Sequence, residues 1–404
     1  CESNNIEIYL TAMTGCAAWL IGGNTLHSWA GIGCGNKDYR SLLKKIRRNK
    51  KAKERWLNTE VLIIDEVSML TVDLFEKLNM IGKILRKNES PFGGIQIILT
   101  GDFYQLPPIT DDKNSEQLFC FESEKWNDCI DETIELNQIV RQIDPEFQKC
   151  LNEVRIGDCS IDTKKLLNKC AHKKWDNEYD IIPTKLYSKN ENVNMINDIE
   201  IKKLGMEIKE YKTTTSIEKE NDCNFDNEYI ASIKKYIEDS SHFDSNLKLA
   251  IGAQVMLLIN LDVEKGLVNG SRGIIIDFDD NLPIVRFKNG ITRKIKEFQT
   301  SYNYDPSLNI IKTHIPLKLA WAISIHKIQG STLDLVEISI GKNIFEYGQS
   351  YVALSRVKSL DGLYITSLKF NRIKAHPKVI EFYKNIKTRK INKNKITQYF
   401  ACAI

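Results

Sequence analysis

Two adjacent carboxylates, Asp65 and Glu66, close the apolar run Val61-Leu-Ile-Ile64. Such a run reads as a strand buried on both faces of a parallel sheet, and the carboxyl ends of those strands are where open α/β sheets bind ligands. An Asp there can hold Mg2+, often through water, and the next acid can polarise an attacking water. Two solvated acids at a strand end would be spelled the same way, so the pair alone decides nothing. The next apolar run, Ile95 to Leu99, leads into Thr100-Gly-Asp-Phe-Tyr-Gln105-Leu-Pro-Pro108. A Gln in that position can hydrogen-bond a γ-phosphate or the water that attacks it. By itself the segment also reads as a loop stiffened by Gly and Pro. Found together, the two segments favour ATP hydrolysis.

Arg141 (in Val140-Arg-Gln142) and Arg356 (in Val352-Ala-Leu-Ser-Arg356) lie far along the chain from the carboxylates. A guanidinium that reaches the γ-phosphate is worth roughly 10³ to 10⁵ in rate, whereas an isolated Arg is more often a salt-bridge partner. His326-Lys327-Ile-Gln329-Gly330-Ser-Thr332 follows the apolar stretch Leu317 to Ile325. It is rich in groups that contact phosphate and sugar oxygens, at an expected helix start. Thr11, Thr14 and Gly15 fill the equivalent turn near the N-terminus. Two such turns can grip a nucleic-acid backbone independently of sequence. His27, Trp29 and Tyr347 could stack on bases, at roughly 1 to 3 kcal/mol each, although core packing is the commoner fate of such rings.

These groups need elements to position them. Ile6 to Leu10 alternates like a strand, and Ala17 to Ile21 reads as a short helix closed by Gly22-Gly23. Arg40 to Leu57 is a basic helical stretch with Leu43, Ile46 and Trp56 as its sparse apolar side, and Leu70 to Leu85 is an amphipathic helix. The alternation predicts a doubly wound parallel sheet over residues 1–140. Helices follow from Gln138 to Ala171 with a loop at Gly157, then a strand at Lys185 to Ser188 and a helix at Asn190 to Leu204. Lys209 to Asp226, rich in Thr, Lys, Glu and Asp, breaks the pattern. Leu249 to Arg293 reads as short strands punctuated by glycines, which is how a small antiparallel barrel looks. Beyond it come Leu317 to Ile325, a helix from about Ser331, and strands at Val336 to Ile340 and Leu363 to Ser367. The expected plan is a second α/β domain over 141–385, a β-barrel insert within it near 247–312, and a basic tail at 386–404.

The chain has 404 residues, 42% hydrophobic and 27% charged, which excludes disorder as the main state and is too long for one typical domain. Its apolar runs are far short of a bilayer span. Ten cysteines at irregular spacings, with no Cys-x-x-Cys pair, favour free thiols in a reducing compartment over zinc or disulfides. The net charge is only +4, but Lys37 to Arg55 holds ten Lys/Arg against two acids, and Lys369 to Lys395 ten against one. Such segments are solvated faces or phosphate contacts. The chain opens at Cys1 without an initiator Met or a signal-peptide pattern, so a piece of something longer is expected.

Ile64-Asp-Glu-Val-Ser-Met-Leu70, Leu99-Thr-Gly-Asp-Phe-Tyr-Gln-Leu-Pro-Pro108, Leu319-Ala-Trp-Ala-Ile-Ser-Ile-His-Lys-Ile-Gln-Gly330 and Tyr351-Val-Ala-Leu-Ser-Arg356 resemble the Pif-one/RecD-like DNA helicases. So do Thr25-Leu-His-Ser-Trp-Ala-Gly31 and Phe147 to Arg155, and the likeness runs in order from about residue 6 to 383. The resemblance implies two RecA-like parallel-sheet lobes, with a Src-homology-like β-barrel insert in the second. It implies an ATP- and Mg2+-dependent enzyme that moves 5′-to-3′ on single-stranded DNA and unwinds forked or structured duplex, in replication, repair, recombination or telomere upkeep. On matching positions Asp65 would hold Mg2+, Glu66 activate water and Gln105 sense the γ-phosphate. Arg141 and Arg356 would be arginine fingers, and Gln329 with Gly330 would couple nucleotide to DNA. Thr11, Thr14, His27, His326 and Lys327 would line the DNA track, and the basic segment at about 34–58 would be a wedge. A monomer that needs no membrane is expected.

One departure is large. The family's phosphate-binding loop, ending in Gly-Lys-Ser/Thr, should precede Ile6, yet Gly-Lys-Ser/Thr occurs nowhere in these residues. That loop supplies backbone donors, a Lys and a Mg2+-binding hydroxyl, so the 404-residue chain by itself is expected to be inactive. A catalytically dead, helicase-derived DNA-binding protein and a RecD-like subunit of a larger complex are the alternatives.

Overall fold

In a computed structural model of the chain, residues 6–108, 119–175, 181–219, 230–231, 234–235, 243–305 and 308–386 are described. The first part follows the expected alternation: β1 (Ile8–Ala12), α1 (Gly15–Leu20), β2 (Asn24–Thr25), α2 (Leu26–Ala30), α3 (Tyr39–Arg48), α4 (Lys50–Asn58), β3 (Val61–Asp65), α5 (Val72–Arg86) and β4 (Gln96–Leu99). The strands form one parallel sheet in the order β2-β1-β3-β4. Its register sets Ala12 beside Asp65 and Ile64 beside Leu99. The turn after β1, the Asp65-Glu66 pair and the loop from Thr100 therefore all leave the same edge.

The basic stretch from Arg40 is two helices, because Asn49 stops one and starts the next. Its N–H donates to the Lys45 and Ile46 carbonyls, and its side-chain oxygen accepts from the Ala52 N–H at 2.9 Å. Leu42, Ile46, Ala52 and Trp56 are buried. Trp56 packs on Trp29 with ring centres 4.6 Å apart, so Trp29 belongs to the core and offers no stacking surface.

After α6 (Trp126–Cys129), α7 (Pro145–Ile156) and α8 (Ile161–Ala171) comes β5 (Thr184–Tyr187), then α9 (Asn190–Lys203). Lys209 to Lys219, where composition suggested a break, is instead β6 (Lys209–Lys212) and β7 (Thr214–Lys219). Pairing with distant strands decides this: β6 lies on β8 (Asn246–Leu249), and β7 on a later strand, Leu308–His314. Residues 220–226 of that stretch lie outside the described residues. The antiparallel unit continues with β9 (Gln254–Leu257), β10 (Arg272–Asp279), β11 (Leu282–Phe287), β12 (Thr292–Lys294), β13 (Phe298–Asp305), β14 (Leu308–His314) and β15 (Leu317–Leu319). Five of these form a sheet in the order β12-β11-β10-β9-β15 around a core that includes Val255, Leu257, Ile275, Val285 and Phe287.

The chain then returns to a second parallel sheet, ordered β16-β5-β17-β18, through β16 (Ala322–Ser324), β17 (Val336–Ile340), α10 (Gln349–Leu354), β18 (Leu363–Leu368) and α11 (Pro377–Asn385). No helix follows Ser331. Gly330 turns at φ 82° and Leu333 bridges Val357, so the segment runs extended into β17. The antiparallel unit is pinned to this sheet by Arg272, whose guanidinium is wholly buried against Asp334 at 2.7 Å and donates to the Ile182 carbonyl at 2.8 Å.

The two lobes also trade pieces. Leu106, from the loop after β4, is buried in the core of the second lobe. In return α11, expected in the second domain, places Val379 in the core of the first, where Phe382 stacks on Phe121 at 4.2 Å. The basic tail after residue 386 lies outside the described residues. Among those described, no helix is long and apolar enough to cross a membrane, and Cys34, Cys120, Cys129, Cys150, Cys159 and Cys170 are free thiols.

Candidate active site

Glu66 carries backbone strain. Its φ of 54° and ψ of 46° are left-handed, a conformation non-glycine residues adopt at a cost of order 1 to 3 kcal/mol. The neighbouring loop enforces it: the Val67 N–H donates to the Thr100 carbonyl at 3.0 Å, and a Cβ on Gly101 would lie 2.9 Å from the Val67 nitrogen. The bend turns Glu66 away from Asp65, whose carboxylate accepts from the Thr100 hydroxyl. Glu66 Oε2 instead accepts from Gln329 Nε2 at 2.9 Å, across 263 residues of sequence. This bond joins the carboxyl edges of the two parallel sheets. Burial pushes the Glu66 carboxyl above the usual carboxylate range, while the Gln329 bond and the Arg356 guanidinium pull it back.

Arg356 is 3% exposed, with its nitrogens on the Val352 carbonyl and the Ser355 hydroxyl. Burial, then the charge of Arg141, lowers it to about 10. Arg141 donates to the Ser355 carbonyl at 3.2 Å, and burial lowers it too. Its neighbour Gln142 sets that approach by donating to the carbonyls of Ser355 (3.0 Å) and Val357 (2.9 Å). Among the described residues neither guanidinium has a carboxylate within ion-pair distance. Two neighbouring cations, Arg356 buried and Arg141 open to solvent, thus stand beside Glu66 without an ion-pair partner, an arrangement suited to an anion entering from solvent.

Gln105 follows on the same loop as Thr100. Its side-chain oxygen is buried without a hydrogen-bond partner. Its carbonyl meets Gly348 so closely that a Cβ there would lie 2.5 Å from the oxygen. Asp102, three residues earlier, receives a two-pronged bond from Arg155, at 3.0 Å to each oxygen.

The residues expected to line a DNA track divide. Thr11 is a correction: it is fully buried and its hydroxyl donates to the Ile63 carbonyl at 2.7 Å, so it cannot reach a phosphate. Thr14 is half-buried and caps α1 by accepting from the Ala17 N–H at 3.2 Å. His27 lies over Gly35, 3.6 Å from where a Cβ would sit, and burial lowers it to about 4, so it is uncharged at neutral pH. His326 is half-buried and lowered by burial. Lys327 is lowered to about 8 by burial and then by the nearby Lys318 charge. Gly330 is exposed and approaches Leu20 of α1, so the second-lobe turn faces the first lobe.

The seam fits a nucleotide and Mg2+. The uncompensated guanidinium pair suits phosphate, and the unpartnered Gln105 oxygen can accept from a water. Among the described residues no cluster of three or more His, Cys, Asp or Glu forms a protein-only metal cage. Asp65 with the Thr100 hydroxyl suits Mg2+, which keeps most of its waters and takes one or two carboxylates. Two cavities lie elsewhere, one of about 470 Å³ beside Ile259 and Phe298 and one of about 620 Å³ beside Lys165 and His172. At the seam the lobes meet directly through Glu66 and Gln329. Asp102 and Arg155 were legible only as letters of longer segments, because no local pattern shows that residues 53 apart form one bidentate pair.

A family model described as PIF1-like helicase matches residues 2–165, and one described as the 2B domain of DNA helicase Pif1 matches residues 237–278. A Xenopus laevis protein named ATP-dependent DNA helicase PIF1 is 39% identical over 93% of this chain, and the chain spans 57% of that protein's length. A crystal structure of Pif1 helicase from Candida albicans superposes with TM-score 0.74 at 38% identity, covering 94% of this chain and 89% of that one. A Pif1 helicase from Bacteroides in complex with ADP-AlF3 and single-stranded DNA superposes with TM-score 0.62 at 31% identity, covering 94% and 87%. The parallel sheets are the cores of two RecA-like lobes, and the match to these proteins extends over both lobes and the antiparallel unit inserted in the second: the chain belongs to the PIF1-like helicase family.

Proposed function

We propose that the complete protein is an ATP-driven DNA helicase that moves 5′-to-3′ on single-stranded DNA and unwinds the duplex ahead. The observation that carries this reading is the pair of neighbouring guanidiniums, buried Arg356 and solvent-exposed Arg141, facing Glu66 with no carboxylate partner among the described residues. Arginines from one lobe opposite a strained carboxylate from the other make turnover depend on how the lobes close. The Bacteroides relative crystallised with ADP-AlF3 and single-stranded DNA supports the same two ligands here.

In this reading Glu66 accepts the proton of an attacking water, and Gln105 orients that water. Arg141 and Arg356 stabilise the charge that develops on the transferred phosphoryl group. Asp65 would hold Mg2+, which when bound neutralises phosphate charge. Release of Gln329 from Glu66 as nucleotide enters moves the Gly330 turn, and with it His326 and Lys327 of the second lobe, relative to Thr14 and His27 of the first, these four being the proposed DNA contacts. The helices at about 34–58 would part the duplex, and replication, repair, recombination or telomere upkeep is the setting that fits. The test is ATP hydrolysis by the complete gene product with and without single-stranded DNA. DNA-stimulated turnover that Glu66→Gln abolishes, with ATP and DNA binding retained, is expected. Turnover unchanged by Glu66→Gln would refute the assigned base, and DNA binding without turnover in the wild type would make this a non-catalytic binding protein.

A further inference from the structure

The loop that carries Gln105 belongs physically to both lobes. It starts on the first sheet at Leu99, but Leu106 is buried in the second-lobe core. Between them Asp102 is gripped from elements far apart in sequence. Arg155, the penultimate residue of α7, holds both carboxylate oxygens at 3.0 Å. Its guanidinium also lies 4.5 Å from the Tyr104 ring centre and 5.1 Å from that of Tyr383. Tyr383 of α11 stacks on Tyr104 at 4.7 Å and 14°. Its hydroxyl donates to Asp102 at 3.4 Å and accepts from the Phe103 N–H at 3.3 Å. Gly348, just before α10, seats the Gln105 carbonyl from the remaining side. The Asp102–Arg155 pair is largely screened from solvent, at 16% and 23% side-chain exposure, so the fork is geometrically specific.

The same helix acts again at the phosphate end of the seam. Gln148 of α7 donates to the Gln142 carbonyl at 2.5 Å, and Gln142 anchors Arg141 beside Ser355. Helix α7, 12 residues and so about 18 Å long, thereby ties the loop of Gln105 to the setting of Arg141.

We infer that Arg155 and Tyr383 are positioning residues: through Asp102 they hold the loop so that Gln105 faces Glu66 and Arg356 only while the two lobes are docked. This rests on the reading of the seam as the hydrolytic site. Neither residue touches the reacting atoms. Their effect belongs in the turnover step, since a misplaced positioning loop costs up to about 10²-fold in rate while leaving the binding surfaces in place.

The experiment uses the complete gene product with saturating single-stranded DNA and compares Arg155→Met, Asp102→Asn, their double variant and Tyr383→Phe. Expected is a fall in kcat of about 10- to 100-fold for Arg155→Met, with the ATP KM and DNA affinity within twofold. Asp102→Asn is expected to fall as far, and the double variant no further than either single one. Tyr383→Phe keeps the ring stack and deletes one hydroxyl, so a fall of about fivefold is expected. It serves as the test should Arg155→Met not fold. A purely structural role would lower thermal stability and give additive losses, leaving kcat per folded molecule unchanged. Wild-type kcat in folded Arg155→Met or Tyr383→Phe overturns the inference and leaves the helicase reading standing. A wild-type protein without DNA-stimulated turnover overturns both.

Discussion

A carboxylate can serve as a base only if its proton affinity and its position are both set, and Glu66 shows both devices. Burial raises its pKa, and a left-handed backbone aims it across the seam. If Glu66 is the base, as proposed, its ionised form is the working one, so kcat should fall as pH drops through a midpoint above the ordinary Glu range, measured as the acid limb of the pH–rate profile. A profile flat down to the usual carboxylate range would contradict the assignment. Arg356→Ala should cost roughly 10³-fold or more in hydrolysis with DNA affinity at low salt unchanged; a fall in DNA affinity alone would make Arg356 a backbone contact. Lys327 titrates from the other direction. Lowered to about 8, it is charged below that pH and neutral above it, so single-stranded DNA affinity should weaken as pH rises from 7 to 9. Lys327→Arg, which stays charged, should remove that dependence.

Loops and short turns between the elements do the positioning. Gly348 is left-handed at φ 74° and lies under the Gln105 carbonyl, so Gly348→Ala is strained twice over. The variant should lose turnover while the rest of the second lobe stays folded, as read by kcat beside a thermal melt; unchanged kcat would mean that the loop has slack. Runs such as Val61 to Ile64 and Ile95 to Leu99 were legible as strands because short, mostly apolar runs leave few other fates, but only the first is largely buried: β4 is half exposed, with Ile98 open to solvent. Asn49 ended a helix that periodicity alone continued, since a cap works through one side chain and has no period. Lys209 to Lys219 was illegible for the opposite reason: polar strands become strands through partners, here β8 and β14, supplied from far along the chain. The extended run after Gly330 likewise depends on Val357, 24 residues beyond Leu333.

Across the whole molecule, the two lobes are laced by exchanged pieces and a seam of few polar contacts. Leu106 sits in one core and Val379 in the other, an exchange that no local pattern announces because each residue simply reads as apolar. Phe382→Ala should therefore loosen the first lobe, where its ring meets Phe103, Phe121 and Trp126, and cost about 3 to 5 kcal/mol in unfolding free energy if the site does not collapse. A loss below about 1 kcal/mol in chemical denaturation would mean α11 is only appended. The resemblance supplied the order of the lobes and the residues at the seam; contacts such as Asp102 with Arg155 emerge only when the chain is folded. In the proposed mechanism, phosphate chemistry held between the lobes drives a DNA strand in one direction. Strand separation by the complete gene product should be measured on duplexes bearing a single 5′ or 3′ tail. ATP-dependent unwinding of the 5′-tailed duplex and none of the 3′-tailed one is expected; equal unwinding of both, or unwinding that needs no ATP, would contradict the proposed mechanism.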